Sequence, residues 1–267
     1  MKNLTEFLTN PIFNSLTKYP SIQTFHKMEK GILKDELTFP ANENLEVYMT
    51  EKIDGSNIRL IIFNNDYLIG SRKEWIHAKG DRLIPNEQVM YLKNYVEEVL
   101  KSYTFKKNIL YCIYGEVHGT GIQSWRNYTL SSQSYGFRIF DIWSMEKKDI
   151  ENLLISMKSK DEVSNWRENN NQPWWNMNEM TTFIINCCGL VEYAPFKLLC
   201  SIKNIPTDIE ETYEFMRRFQ HTDVNLDGTD KLNAKAEGIV VRTYDRSYIA
   251  KLRFEDYEKT FKKMKRK

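Results

Sequence analysis

Lys52 is the first residue in this sequence whose type and surroundings could do chemistry. It lies in Glu51-Lys52-Ile53-Asp54-Gly55, between two apolar runs that are typical of strands, Val47–Thr50 and Ile58–Phe63. A lysine followed by an acid and a glycine predicts a tight reversal between these strands, in which Gly55 permits the turn and one amine faces a pocket. A deprotonated lysine amine is a nucleophile that can form covalent intermediates. An ordinary hairpin turn has the same pattern, so this motif alone leaves both interpretations open.

Charged residues recur in the later predicted strands. Glu116 follows an apolar run, and Glu237 opens another. Lys251 and Arg253 stand two residues apart in the alternating segment 248–253. Because successive side chains of a strand point to opposite faces, we expect Lys251 and Arg253 to share one face.

The intervening segments predict the scaffold that positions these residues. Val89, Leu92, Val96 and Val99 recur at helical spacing, which predicts an amphipathic helix over residues 87–100. Residues 67–73 predict a short strand that ends in a basic turn, and alternation predicts a strand at 137–143. Residues 146–190 are predicted to be mostly helical, with a polar interruption at 168–172.

Length and composition set broad limits. A chain of 267 residues is long enough for one large domain or two small ones. The formal charge of +2 is near balance and does not by itself indicate a nucleic-acid-binding protein. No segment resembles a signal peptide or a membrane span, so we expect a cytoplasmic protein without a membrane partner. The cysteines show no metal-ligand spacing and are expected to be free thiols in a reducing compartment: Cys112, Cys187, Cys188 and Cys200.

Several enzyme classes are not supported. The sequence contains no G-x-x-x-x-G-K-[ST] motif and no G-x-G-x-x-G motif that opens a helix, which argues against P-loop NTPases and protein kinases. The four histidines are scattered, so nothing indicates a zinc hydrolase.

Lys52-Ile53-Asp54-Gly55 resembles the nucleophile motif of the covalent nucleotidyltransferases, which include ATP-dependent DNA ligases, RNA ligases and mRNA capping enzymes. Further segments match the motifs of that superfamily in the same order: Ser71-Arg72-Lys73, Gly115-Glu116, Phe140-Asp141, Glu237-Gly238 and Lys251-Leu252-Arg253. Glu51 to Asn57 and the Phe140-Asp141 pair are most similar to the phage-type, nick-sealing RNA ligases.

The resemblance implies a role for each matched residue. Lys52 would attack the α-phosphate of ATP and hold AMP, and Lys251 would act with it as a catalytic residue. Lys251 and Arg253 would together grip the α-phosphate, although the family usually has a second lysine where Arg253 stands. The acids expected at a magnesium or manganese ion, through water, are Asp54, Glu116 and Glu237.

The resemblance also implies the contacts of the nucleotide. Phe140 would stack on adenine, Arg72 would steady the phosphate or ribose, and Asn57 matches an asparagine of the phage-type enzymes. Glu51 lies where the family makes backbone contacts to the base edge. The remaining expected ATP or AMP ligands are Lys52, Glu116, Glu237, Lys251 and Arg253.

The fold implied by the resemblance is α+β and similar to ATP-grasp domains. It has antiparallel sheets flanked by helices, with the nucleotide in the cleft between them. Residues 1–267 are expected to form a single adenylyltransferase domain that ends in a short helical basic tail over 254–267. No OB-fold domain is expected after the last motif.

The function implied is that of an ATP-dependent RNA ligase that joins a 5′-phosphate end to a 3′-hydroxyl end. An end-healing kinase or phosphatase is a possible partner, and the small size suggests a viral or bacterial origin. The alternatives are a DNA ligase, an adenylyltransferase that does not seal, and a non-catalytic nucleic-acid-binding module. The charged set Lys52, Glu116, Glu237 and Lys251 argues against a non-catalytic module, and sealing assays on RNA and DNA separate the enzymes.

Overall fold

Strands and helices are mixed along the chain. The computed structural model describes residues 4–40, 45–187, 205–228 and 234–265, and the backbone of 198–202. The helices are α1 (Pro11–Leu16), α2 (Glu87–Ser102), α3 (Lys147–Ser156), α4 (Lys160–Glu168), α5 (Met177–Cys187), α6 (Ile209–Arg217) and α7 (Phe254–Met264). The strands are β1 (Gln23–Thr24), β2 (His26–Glu29), β3 (Ile32–Leu37), β4 (Val47–Lys52), β5 (Ser56–Phe63), β6 (Asp66–Ser71), β7 (Trp75–Ala78), β8 (Ile109–Gly119), β9 (Tyr135–Glu146), β10 (Leu198–Ile202), β11 (Gly238–Arg242) and β12 (Ile249–Arg253).

The chain divides into two compact units. The first comprises residues 1–21, 56–117 and 135–195, and the second comprises 22–55, 118–134 and 196–267. The expectation of a single adenylyltransferase domain over 1–267 stays a prediction.

The first unit is organised around a sheet with the order β7-β6-β5-β8-β9. Strand β5 is central and pairs antiparallel with both β6 and β8. Helix α2 contacts β6, β7 and β9, and the positions Val89, Leu92, Val96 and Val99 that predicted it are buried. The side chain of Asn86 caps this helix by accepting a hydrogen bond from the amide of Val89. The amphipathic helix predicted from the sequence is therefore confirmed, and it extends to Ser102.

The second unit is organised around a sheet with the order β1-β12-β11-β4-β10. Pairs β4–β11, β11–β12 and β4–β10 are antiparallel, and the short pair β1–β12 is parallel. Its apolar core includes Met49, Ile239 and Leu252 from the sheet and Phe254 and Tyr257 from α7. Apolar burial removes this helix face from water, and the predicted helical tail is thus part of the core up to its basic end. The expected α+β class with antiparallel sheets is confirmed.

The predicted hairpin around Lys52 is wrong. Strands β4 and β5 do not pair with each other, because β4 lies between β11 and β10 and β5 lies between β6 and β8. The segment 53–55 therefore leads from one sheet into another. Gly55 is not among the described glycines with positive φ, so its conformation does not require glycine. Local sequence specifies strands, but the partners of β4 lie far away along the chain, and β5 pairs instead with the strand that follows it, β6, and with β8.

Other sequence expectations have mixed outcomes. The region 146–187 is helical in three pieces, and the predicted polar interruption follows the end of α4. Cys112 and Cys187 are buried and form no disulfide bond within the described residues, whereas Cys188 and the side chain of Cys200 lie outside the described residues. Within the described ranges, every helix is too short or too polar to span a bilayer.

Candidate active site

Lys52 ends strand β4 and stands in register with two other positions of the second unit that match the superfamily motifs. Gly238 of β11 pairs with Lys52 on one side and with Arg253 of β12 on the other. Lys251 lies two residues before Arg253 in β12 and pairs with Val240 of β11. Because side chains alternate along a strand, Lys52, Lys251 and Arg253 share one face of the sheet, as the sequence predicts for the last two. With strands about 4.8 Å apart, the Lys52 and Arg253 backbones lie about 10 Å apart.

Gly238 lets these three strands approach. A Cβ atom built on Gly238 would lie 2.0 Å from the carbonyl oxygen of Leu252 and 2.9 Å from the Cα of Arg253. Both obstacles are backbone atoms, so no rotation of a side chain relieves them. The glycine of the Glu-Gly motif is thus required by the close approach of β11 and β12.

Lys52 and Glu237 form an ion pair. The Lys52 Nζ donates to Glu237 Oε2 at 2.5 Å, and the two side chains are only 25% and 22% exposed. Partial removal from water strengthens such a pair relative to a fully exposed one. The carboxylate nearest to the candidate nucleophile therefore belongs to Glu237, which holds the amine and is placed to accept a proton from it.

Arg253 is held by a neighbouring acid. Its Nε and Nη2 donate to the two carboxylate oxygens of Asp256 at 2.8 and 2.7 Å. The hydrogen bonds that Arg253 donates to Asp256 raise the pKa of Arg253 above its ordinary value. A planar guanidinium can make this two-point contact and an ammonium cannot, which gives a physical reason for arginine at this position. The sequence patterns did not identify Asp256. Its position three residues after Arg253, in the first turn of α7, was a usable signal.

The side chain of Glu51 is buried, and both of its carboxylate oxygens accept hydrogen bonds. Thr222 donates its hydroxyl to one carboxylate oxygen of Glu51, and the amide of Asp223 donates to the other at 3.3 Å. Strand alternation turns this side chain to the face opposite Lys52. The expectation that Glu51 makes backbone contacts to the base edge stays a prediction.

Asp54 is held at both its backbone and its side chain. Its amide donates to the hydroxyl of Tyr128 at 2.7 Å, and Ser124 donates its hydroxyl to Asp54 Oδ2 at 2.5 Å. Tyr128 is fully buried, and burial raises the pKa of its phenol above the ordinary value. No pattern in the sequence identified Ser124 or Tyr128, because both lie far from Asp54 along the chain, at separations of 70 and 74 residues.

Two matched residues of the first unit face each other across a strand pair. Asn57 of β5 is in register with Glu116 of β8. Within the described residues, the Oδ1 atom of Asn57 is buried and has no hydrogen-bond partner. An unsatisfied buried amide oxygen is costly, and such groups call for an explanation, for example a ligand that donates to them.

The other matched residues of the first unit lie elsewhere on its sheet. Arg72 is exposed in the turn between β6 and β7. Phe140 of β9 packs edge-on against Tyr19, with 5.0 Å between ring centroids. Tyr19 also donates its hydroxyl to the buried carboxylate of Asp141. Tyr19 thereby fixes the strand that carries Phe140.

The donor set fits a hydrated divalent cation. Among the described residues, no cluster of three or more acids, histidines or cysteines could bind a metal ion alone. The second unit offers the carboxylates of Asp54 and Glu237, which are hard oxygen donors of the type that magnesium and manganese prefer. The expectation that Asp54, Glu116 and Glu237 contact a metal ion through water stays a prediction.

Comparison with known proteins establishes the family. The family model of RNA ligases matches residues 45–263, which is most of the chain. The chain belongs to the RNA ligase family. The match spans every motif from Lys52 to Arg253. No curated protein matches the sequence significantly.

Solved RNA ligases share the fold of this chain. A mutant Naegleria gruberi RNA ligase with ATP and Mn is 14% identical, with a TM-score of 0.53, and the match covers 91% of this chain and 61% of that one. A second mutant of that ligase with ATP and Mn, also 14% identical, has a TM-score of 0.54 and coverages of 96% and 67%. The same enzyme with PPi is 15% identical, with a TM-score of 0.52 and coverages of 91% and 62%. The chain thus spans about three fifths to two thirds of the length of these ligases.

Proposed function

We propose that this protein is an ATP-dependent RNA ligase that acts through a covalent lysyl-AMP at Lys52. The observation that carries the proposal is the shared sheet face of Lys52, Lys251 and Arg253, with Glu237 paired to the nucleophile. Membership in the RNA ligase family supports the choice of RNA as substrate.

The first step forms the lysyl-AMP. The Lys52 ammonium loses a proton, and Glu237 is the nearest carboxylate to receive it. The amine attacks the α-phosphorus of ATP, so that a P–N bond forms, the P–O bond to the β-phosphate breaks, and pyrophosphate leaves. Lys251 and Arg253 supply positive charge on the same face of the sheet, where it stabilises the negative charge that develops on the α-phosphate.

The next two steps use the activated AMP. An oxygen of the RNA 5′-phosphate attacks the lysyl-bound phosphorus, which breaks the P–N bond and returns the Lys52 amine. The RNA 3′-hydroxyl then attacks the 5′-phosphorus, forms the phosphodiester and releases AMP. RNA ends that carry a 5′-phosphate and a 3′-hydroxyl are the products of kinases and phosphatases that repair broken RNA. An enzyme of this class is the partner that we propose.

The proposal assigns the remaining matched residues on motif order. Asn57, Arg72, Glu116 and Phe140 would contact the nucleotide, with Phe140 against the adenine ring. The unsatisfied Oδ1 of Asn57 supports a donor group in its ligand. Asp54, Glu116 and Glu237 would hold magnesium or manganese through water, and the ion would supply charge neutralisation at the phosphates. The Naegleria enzymes were solved with ATP and Mn, which supports the same cofactors here.

A sealing assay tests the proposal. The protein is incubated with ATP, magnesium and three substrates of equal length: a nicked RNA duplex, a nicked DNA duplex and single-stranded RNA, each with a 5′-phosphate and a 3′-hydroxyl. We expect joined RNA with the wild type and none with Lys52→Ala. Joining of DNA alone would indicate a DNA ligase, and accumulation of adenylylated ends without joining would indicate an adenylyltransferase. The absence of both joined products and adenylylated ends would overturn the proposal.

A further inference from the structure

The segment from Ser124 to Tyr128 contacts the stretch of chain that follows Lys52. Asp54 is only two residues beyond Lys52, and it is held at two points: its amide by the hydroxyl of Tyr128 and its carboxylate by the hydroxyl of Ser124. Ile53, between them, packs into a small apolar cluster with Tyr128 and Val224. The backbone and the carboxylate of Asp54 and the side chain of Ile53 are thus all contacted by one short segment.

This segment is itself firmly supported. Tyr128 is fully buried, and its carbonyl accepts a hydrogen bond from the amide of Leu226 at 2.8 Å. The carboxylate of Asp227 accepts from the hydroxyl of Thr129 and from the amide of Leu130. A buried side chain on a supported backbone has few alternative positions, so its hydroxyl is a fixed acceptor for the amide of Asp54.

We propose that Tyr128 and Ser124 are positioning residues for the nucleophile, acting through Asp54. Neither hydroxyl bonds to Lys52, so the effect passes through the backbone of residues 52–54. Tyr128 sets where this backbone lies, and Ser124 sets which way the Asp54 carboxylate points. The inference rests on the proposed function, because it concerns the attack of Lys52 on ATP.

The consequence falls most heavily on the step that uses the amine, although Asp54 is also proposed at the metal ion. Loss of either hydroxyl leaves the side chain of Lys52 intact but allows the segment to shift. A displacement of about 1 Å in a reacting group can slow a reaction on the order of 100-fold. The binding of ATP should change less, since neither residue is assigned to the nucleotide. Sealing of RNA that is already adenylylated needs no attack by Lys52 and should be slowed least.

Single-turnover labelling with ATP that carries label on the α-phosphate tests the proposal. For Tyr128→Phe we expect the maximal labelling rate to fall about 10- to 100-fold, with the half-saturating ATP concentration within about threefold of the wild type. For Ser124→Ala we expect a fall of about 5- to 10-fold, and Ser124→Thr, which keeps the hydroxyl, should restore the rate to within about twofold. Tyr257→Phe is the matched control, because Tyr257 is also buried and donates or accepts one hydrogen bond, to His26, in the same unit. It should label at the wild-type rate.

The outcomes are distinguishable. If the wild type takes up label, and both Tyr128→Phe and Ser124→Ala take it up at the wild-type rate, the positioning role is refuted while the proposed function stands. If all the variants, Tyr257→Phe included, lose labelling together with thermal stability, the effect is one of folding and the positioning role is again refuted. If the wild type itself takes no label, the proposed function fails first. Equal losses in labelling and in sealing of adenylylated RNA would also contradict a role limited to the nucleophile.

Discussion

Gly238→Ala should be among the most damaging small substitutions in this protein. The new Cβ atom would lie 2.0 Å from the carbonyl oxygen of Leu252. The oxygen would have to retreat by about 1 Å to reach even 3.0 Å, a distance that real Cβ contacts essentially never undercut. That carbonyl belongs to the strand paired with β11, so the retreat must pull the two strands apart.

The expected cost follows from these contacts. Overpacking in a well-packed region typically costs about 1–3 kcal/mol, and a strained or lost ladder hydrogen bond adds about 1 kcal/mol. We therefore expect the free energy of unfolding to fall by about 2–4 kcal/mol. For a chain of this size that corresponds to a fall in Tm of about 5–15 °C. Because Gly238 pairs with both Lys52 and Arg253, the labelling of Lys52 should fall as well.

Denaturant unfolding and covalent labelling, measured on the same preparation, check this prediction. Val240→Ala is the matched control, since Val240 lies two residues along the same strand and the change removes atoms instead of adding one. It should cost about 1 kcal/mol and spare most of the labelling. A Gly238→Ala protein that unfolds within about 0.5 kcal/mol of the wild type and labels at its rate would refute the close-approach argument.

Three further predictions concern other parts of the two units. Arg253→Lys should lower the free energy of unfolding by about 1–2 kcal/mol in denaturant titrations, because an ammonium cannot make the two-point contact with Asp256; no loss would show that the fork does not stabilise the fold. Asn57→Ala should leave thermal stability nearly unchanged but raise the half-saturating ATP concentration for labelling about tenfold, equivalent to one hydrogen bond; an unchanged value would remove Asn57 from the nucleotide site. Burial lowers the pKa of His26, so the folded protein takes up that proton less readily than the unfolded chain, and stability should fall as the pH drops below about 6.5. His26→Gln should show a shallower fall between pH 7.5 and 5.5 in unfolding experiments, and an identical pH dependence would contradict this assignment.

The sequence was most informative where one strand or helix carries the pattern alone. The helix over Val89–Val99 and the shared face of Lys251 and Arg253 follow from periodicity, and the structure has both. The family resemblance likewise rests on short motifs, and the family match confirms it.

The sequence was least informative where partners are distant. Lys52 precedes a break between two sheets, and a local pattern cannot distinguish such a break from a hairpin turn. The ion pair between Lys52 and Glu237 spans 185 positions. The hold of Tyr128 on Asp54 spans 74 positions, and nothing in the neighbourhood of Tyr128 marks it. The need for glycine at position 238 depends on the carbonyl of a neighbouring strand, which only the paired sheet reveals.

The central claim is that Lys52 becomes covalently adenylylated, and one measurement tests it directly. The wild-type protein is incubated with magnesium and ATP labelled on the α-phosphate, denatured, digested and mapped by mass spectrometry. We predict an acid-labile AMP adduct on the peptide that contains Lys52 and none with Lys52→Ala. Wild-type protein that carries no adduct, or an adduct on another residue that survives Lys52→Ala, would contradict the account.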